Sequence, residues 1–418
     1  MPSTKPSRLV TGLGAAFSLA VVLGACTSGA SGTIGADASD PEASTGQDAS
    51  ESAAPAAPKV TPFAVAIDAP GGTTQQIAVD SDVRVSASTG TLQRVVVQHG
   101  RGANASVVRG TMNAARGEWT LQDTLQPGLT YTVLSTGRDS DGASRTVRSH
   151  FSTDNLTLDE QTYPSVAPLQ GETVGVGMPV VVTFDVPVKD RAAIERRLSV
   201  TSKPQVRGTW HWLSANEVHY RPRSFWPAGA DVDVDIDIDS VDAGNGIYGQ
   251  ESRHVSFDVG DRIVSTVNVQ TQQMRVSING STGRTIAVSG GKPGFETRAG
   301  TKVIMEKFES KRMDAATTGI STSDPEYYNI ANVEYAMRVT YSGEFLHAAP
   351  WSVGSQGNAN VSHGCVGMST ADAAWLFGMT NRGDVVRVVG SDRPLEEGNG
   401  WTDWDMSWAD YRSGSALT

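Results

Sequence analysis

The side chains best equipped for chemistry lie in one run, Ser362-His363-Gly364-Cys365-Val366-Gly367, with His347 eighteen residues upstream of the cysteine. Acyl transfer through a thiol needs a sulfur nucleophile, a group that takes and returns its proton, and donors for a developing oxyanion. Cys365 supplies the first. A histidine supplies the second, because its ordinary pKa of about 6.5 lies close to neutrality. Gly364 gives the backbone freedom that lets main-chain N–H groups beside the cysteine converge on one point. Two histidines compete for the role of base. His363 stands two residues from Cys365, so on a strand the two side chains share a face, whereas His347 meets the thiol only through tertiary folding. Spacing alone does not decide between them. A thiol with such neighbours is expected to titrate below the value of about 8.5 of a free cysteine. Zinc held by His347, His363 and Cys365 is the rival reading, but no CxxC or HxxxH pair accompanies them and no fourth ligand stands out. No metal and no cofactor is therefore assigned.

The cysteine count sharpens the assignment. The chain holds two cysteines, Cys26 and Cys365. Lys5 and Arg8 precede an apolar stretch from Val10 to Leu23, too short to span a membrane as a helix and patterned as an export signal. The stretch ends in Leu23-Gly24-Ala25-Cys26, which resembles a bacterial lipobox, so Cys26 is expected to carry lipid and to anchor the protein to the outer face of the cell membrane. Cys365 is then a thiol without a disulfide partner in an oxidising compartment, which itself marks a candidate nucleophile. A net charge of −11 and a pI near 5.1 argue against nucleic acid as a partner, since that ligand selects basic clusters.

The elements that must position these groups are strands. Residues 27–61 are small, polar and acidic, too poor in large apolar side chains to offset their ordering entropy, and read as a disordered linker. From residue 62 the pattern changes to short alternating strands such as Leu92 to Gln98, Tyr131 to Ser135 and Thr146 to Phe151. The layout Pro127-Gly128, strand, Asp141-Gly142, strand recurs as Pro227-Ala228-Gly229, strand, glycine turns, strand. Two immunoglobulin-like β-sandwiches are expected over 62–158 and 159–260. In the second, the series Asp231-Asp233-Asp235-Asp237-Asp239 places carboxylates on one strand face, read as a solvated face rather than a calcium site. Strands resume at Ile263 to Val269, Met274 to Ile278, Thr285 to Val288 and Thr301 to Phe308, with a hairpin turn at Asn279-Gly280. A helix capped by Ser369 or Thr370 and a strand from Val385 to Val389 complete a β-rich catalytic domain over 261–390. The Gly354 to Gly357 run reads as a loop that shapes the groove. A tail over 391–418 carries Trp401, Trp404 and Trp408 at helix-like spacing and is expected to pack back onto the catalytic domain.

The run His347-Ala348-Ala349-Pro350-Trp351-Ser352-Val353-Gly354, followed by Ser362-His363-Gly364-Cys365, resembles the L,D-transpeptidase (YkuD-type) catalytic domain. The likeness is greatest to actinobacterial members with immunoglobulin-like domains ahead of the catalytic one, and it extends into the Trp-rich tail. The resemblance implies a Cys365 nucleophile, His347 as base oriented by a main-chain carbonyl, and His363 shaping the site with an assisting role. It implies an oxyanion hole from the amides of Gly364 and Cys365, and a substrate groove lined by Met313, Tyr328, Gly343, Trp351 and Ser362. Its partners would be peptidoglycan stem peptides as donor and acceptor, the membrane through the lipid anchor, and carbapenem-type inhibitors. The resembled pattern carries Asn or Arg two residues after the nucleophile, where this chain has Gly367, so the resemblance implies a lost side-chain contact to substrate there and a site that tolerates Asn.

Overall fold

The computed structural model describes residues 60–69, 76–100 and 102–418. The expected export signal, the lipid-bearing Cys26 and the linker up to residue 59 lie outside the described residues.

Strands form where apolar and polar side chains alternate. In Thr130–Arg138 the buried positions Tyr131, Val133, Ser135 and Gly137 recur every second residue, so one face enters a core and the other meets solvent. That strand lies in a five-stranded sheet with Gln76–Ile77, Ser144–Thr153, Thr91–His99 and Ser106–Val108. A four-stranded sheet of Ala64–Asp68, Arg84–Thr89, Glu118–Leu121 and Gly110–Met112 covers it. Val85, Val97, Trp119, Tyr131 and Phe151 fill the space between. A second sandwich pairs the sheet of Pro164–Ala167, Val180–Phe184, Glu217–Pro222 and Gly208–Trp212 with that of Thr173–Val174, Arg253–Val259, Asp231–Ile236 and Leu198–Lys203. In Asp231–Ile236 the valines and Ile236 point inward, while Asp233 and Asp235 accept hydrogen bonds from Ser256 and His254 on the outer face.

The strands from Ile263 onward build two sheets that meet at the thiol. One has the order Ser281–Ala287, Gln273–Ile278, Ile263–Asn268, Val385–Val389 and Gly300–Val303. The other runs Glu306–Asp314, Asn329–Arg338, Phe345–Ala348 and Val366–Met368. Asn279 and Gly280, both at positive φ, make the two-residue turn between the first pair of strands, as the sequence predicts. The single strand expected from Thr301 to Phe308 is two, because the chain crosses from one sheet to the other at Ile304-Met305. Helix Thr370–Met379, capped by Ser369, presses Ala373 and Leu376 onto a core that includes Val267, Met274, Met337 and Leu346.

The second sandwich and the catalytic sheets share one apolar core. Val264, Val303, Met305 and Val385 cluster with Val176, Met178, Trp226 and Val259. The tail departs from expectation. Trp401 joins that same core, and Trp404 Nε1 donates to the Gly177 carbonyl at 2.6 Å. Only Trp408–Ser413 is helical. The tail also pairs with the catalytic sheets near Ala299, whose N–H donates to Arg393 and whose carbonyl accepts from Leu395. It therefore straps both bodies together rather than packing on the catalytic one alone. The physical reason lies in strand Glu217–Pro222, whose buried His219 and Arg221 are met by Asp403, Trp404, Trp408 and Tyr411.

Candidate active site

The parallel pairing of Phe345–Ala348 with Val366–Met368 sets the site. Its register places His347 opposite Gly367, and Cys365 at the mouth of the second strand. His347 is 5% exposed, and its Nδ1 donates to the Ala348 carbonyl at 2.8 Å, which fixes the ring and leaves Nε2 as the basic nitrogen. The Trp351 indole stacks on this imidazole with ring centres 5.8 Å apart. Trp351 is otherwise exposed and forms a rim.

Cys365 is buried, and its Sγ donates toward the Gly343 carbonyl at 3.6 Å. Gly343 holds φ +96°, and a Cβ there would meet Thr318 Cγ2 at 2.8 Å, so only glycine offers this carbonyl to the sulfur. The loop that carries Cys365 is tied by Ser362. Its Oγ donates to the Cys365 carbonyl at 2.6 Å and accepts from the Gly364 amide at 3.1 Å. Gly364 turns the chain at φ +123°. Ser362 thus orders the thiol from within the loop, and the Gly364 amide expected to face an oxyanion is held by Ser362 in this state.

A cavity of about 200 Å³ opens on these groups, lined by Cys365, His347, His363, Trp351, Tyr328 and Met313 among others. A second cavity of about 190 Å³ is lined by Gly343, Phe345, Arg338 and Lys311. Met313 and Tyr328 line both and form the wall they share. The structure therefore brings together every site residue named from the sequence within the described chain. The turns at Gly354 to Gly357 act through their neighbours, since Trp351, Ser352 and Val361 are what reach the cavity.

His363 sits in a bend before the strand, so it does not share a strand face with Cys365. Its Nε2 lies 2.8 Å from Glu326 Oε2, and its ring is wedged between Phe295 and Tyr328 with centres 4.7 and 4.9 Å away. Glu326 also pairs with Lys292, and these two hydrogen bonds hold its carboxyl below the usual carboxylate range. Behind the loop, buried Glu344 pairs with Lys302 and, at 3.1 Å, with Arg298. Lys292, Glu326, Glu344 and Lys302 gave no sequence signal, because no local spacing relates them to the cysteine.

Electrostatics correct the expectation of an acidic thiol. Burial pushes the Cys365 thiol up to about 12, and the Glu344 carboxylate adds to that against Lys302 and Arg338. Burial also pushes His347 below its ordinary value, opposed only by the Ala348 hydrogen bond. Both shifts favour the neutral forms of the thiol and the imidazole. Tolerance at Gly367 is corrected too. A Cβ on Gly367 would lie 2.8 Å from Ala349 Cβ, and its N–H and carbonyl are both bonded to Ser289 at 2.9 Å. Glycine there is demanded by packing, and a side chain would displace the strand that carries His347.

Two family models match the chain. A model of a bacterial Ig domain matches residues 74–242, and a model of the L,D-transpeptidase catalytic domain matches residues 262–388. The chain is 34% identical to L,D-transpeptidase 2 of Mycobacterium tuberculosis over 81% of its own length and 82% of that protein. It is 31% identical to L,D-transpeptidase 5 of Mycobacterium tuberculosis over 83% of this chain and 76% of that one. A solved LD transpeptidase in complex with imipenem is 38% identical, covering 54% of this chain and 97% of that chain with a TM-score of 0.48. The mostly stranded architecture, with Ig-like sandwiches ahead of the thiol-bearing sheets, and the extent of these matches agree: the chain belongs to the L,D-transpeptidase family.

Proposed function

We propose that this protein cross-links peptidoglycan through a Cys365 thioester. The observation that carries the reading is a buried thiol and an imidazole anchored at Nδ1, held on neighbouring parallel strands and opening on one cavity. His347 Nε2 takes the thiol proton as sulfur attacks the carbonyl of the diamino acid in a tetrapeptide stem. The C–N bond to the terminal D-alanine breaks, and the imidazolium returns the proton to the departing amine. The side-chain amine of a neighbouring stem then attacks the thioester, loses a proton to His347, and expels the thiol. With the Gly364 amide bonded to Ser362, the amide of Cys365 itself is left to meet the oxyanion. The wall shared by Tyr328 and Met313 separates the cavity that opens on the sulfur from a second one on the Gly343 side, and the pair suits a donor and an acceptor. A carbapenem presents a strained acyl centre to the same sulfur and is a proposed inhibitor. The export signal and Cys26 support a reaction site outside the cell membrane.

Mass spectrometry of purified stem tetrapeptide incubated with the protein tests this. Free D-alanine with a cross-linked dimer is expected. Release of D-alanine with only the tripeptide acid would make the protein an L,D-carboxypeptidase, and no release would leave a non-catalytic wall-binding protein.

A further inference from the structure

A cleft away from the thiol carries charge that the reaction does not use. It lies where the second sandwich, the catalytic sheets and the tail meet, and has a volume of about 380 Å³. Arg221 and Arg223 reach it from the sandwich, Arg262 and Arg387 from the catalytic strands, and no carboxylate is among its lining residues. This is opposite in sign to a chain whose net charge is −11. The carboxylates of the adjoining tail are committed elsewhere: Asp403 to His219 and Tyr411, and Asp405 to the Thr301 amide.

Arg221 gives the second, independent observation. It is 3% exposed, its Nε has no hydrogen-bond partner among the described residues, and its Nη atoms meet only main-chain carbonyls. Burial of such a cation is costly, and the stack of Trp404, Trp408 and Tyr411 around its guanidinium offsets only part of that cost. Arg262 and Arg387 both lie over the Phe225 ring, with guanidinium carbons 5.8 and 5.7 Å from its centre. Three of the four arginines are thus held in place by aromatic rings, and among the described residues none of the four forms a salt bridge to a carboxylate.

We propose that this cleft binds an anionic wall polymer through its phosphodiesters. The guanidinium fork matches phosphate oxygens in pairs, and rings pre-order the forks so that little entropy is lost on binding. Four cations contributed by both bodies suit repeated charges along a polymer better than the single carboxylate of a peptide stem. The aromatic floor between the charges fits the sugar or polyol that separates successive phosphates. Such a contact would hold the second sandwich and the catalytic sheets against the wall in one fixed orientation. That the polymer belongs to the wall rests on the proposed function, whereas the anion site does not.

Calorimetric titration of the protein with a short poly(glycerol phosphate) oligomer tests the proposal. Saturable binding is expected, weakening as salt rises through release of bound counterions. Arg262→Gln/Arg387→Gln should weaken it roughly tenfold to a hundredfold. The exposed Arg223→Gln is a second probe and should weaken it to a smaller degree. Carbapenem acylation at Cys365 and thermal stability, read on the same variants, should stay unchanged, which separates failure of the cleft from failure of the thiol chemistry. Absence of binding at low salt, or equal binding by all variants, overturns the proposal. Equal or tighter binding of a phosphate-free muropeptide at the same arginines would assign the cleft to peptide carboxylates and also overturn it.

Discussion

Two of the buried histidines, His347 in the thiol cavity and His219 beneath the tail, have little solvent contact and opposite electrostatic fates. Among the described residues His347 hydrogen-bonds only to the Ala348 carbonyl, so burial prevails and its charged form is disfavoured. His219 lies 2.9 Å from Asp403 and 2.8 Å from Glu217, and those carboxylates overcome the same burial to raise it to about 9. The first is kept neutral and available to take a proton. The second is kept charged and locks the tail to the sandwich. Burial does not decide what a histidine does; the partner buried with it does.

Removing the neutral ring should have the largest effect. His347→Ala is expected to slow acylation of Cys365 by roughly a hundredfold to ten-thousandfold, the range of a positioned general base, with the fold intact. Time-resolved mass spectrometry of adduct formation checks it, and a near-wild-type rate would remove His347 from the chemistry.

Breaking the charged pair should act on stability instead. Asp403→Ala leaves His219 buried without its main partner and is expected to cost about 3–5 kcal/mol in chemical denaturation. The pH dependence follows from the sign of the shift. His219 is raised above its unfolded value of about 6.5, so its contribution is complete below that pH and is lost as pH rises through about 9. Asp403 is lowered in the folded state, the joint result of burial opposing the stronger pull of His219 and Tyr411, so its contribution is lost only on acidification below the ordinary carboxylate range. In Asp403→Ala the alkaline loss should flatten. Retention of that loss would show that another group governs it.

How much of this was legible in the sequence differs between the two regions. The thiol cavity was, because Cys365, Gly364, His363 and His347 are close in the chain and the chemistry restricts which residue types can serve. The alternating strands were as well, since period-two burial is written in Tyr131 and Val133 or in Val232 and Val234. The tail was misread because its hydrogen-bond partners in the second sandwich lie 184 or more residues away, as His219 does from Asp403, and no local spacing encodes that distance. The thiol's pKa was misjudged for a related reason: sequence shows which groups are near, whereas the depth of burial that dominates here emerges only from the packed sheets.

A smaller effect is expected at Gly367, which faces His347 across the parallel strands and also lines the cavity. Gly367→Asn should force Ala349 aside and cost about 1–3 kcal/mol of stability, as overpacking does, with a matching loss of acylation rate. An unchanged melting temperature and rate would return this position to substrate binding.

The proposed chemistry rests most directly on the sulfur of Cys365, and one measurement addresses it: intact-protein and peptide mass spectrometry after exposure to a carbapenem. One acyl group per chain, on the peptide that contains residue 365 and absent from Cys365→Ala, is the predicted result. An adduct that persists in Cys365→Ala, or one carried by a different peptide, would contradict the assignment of the nucleophile and the function built on it.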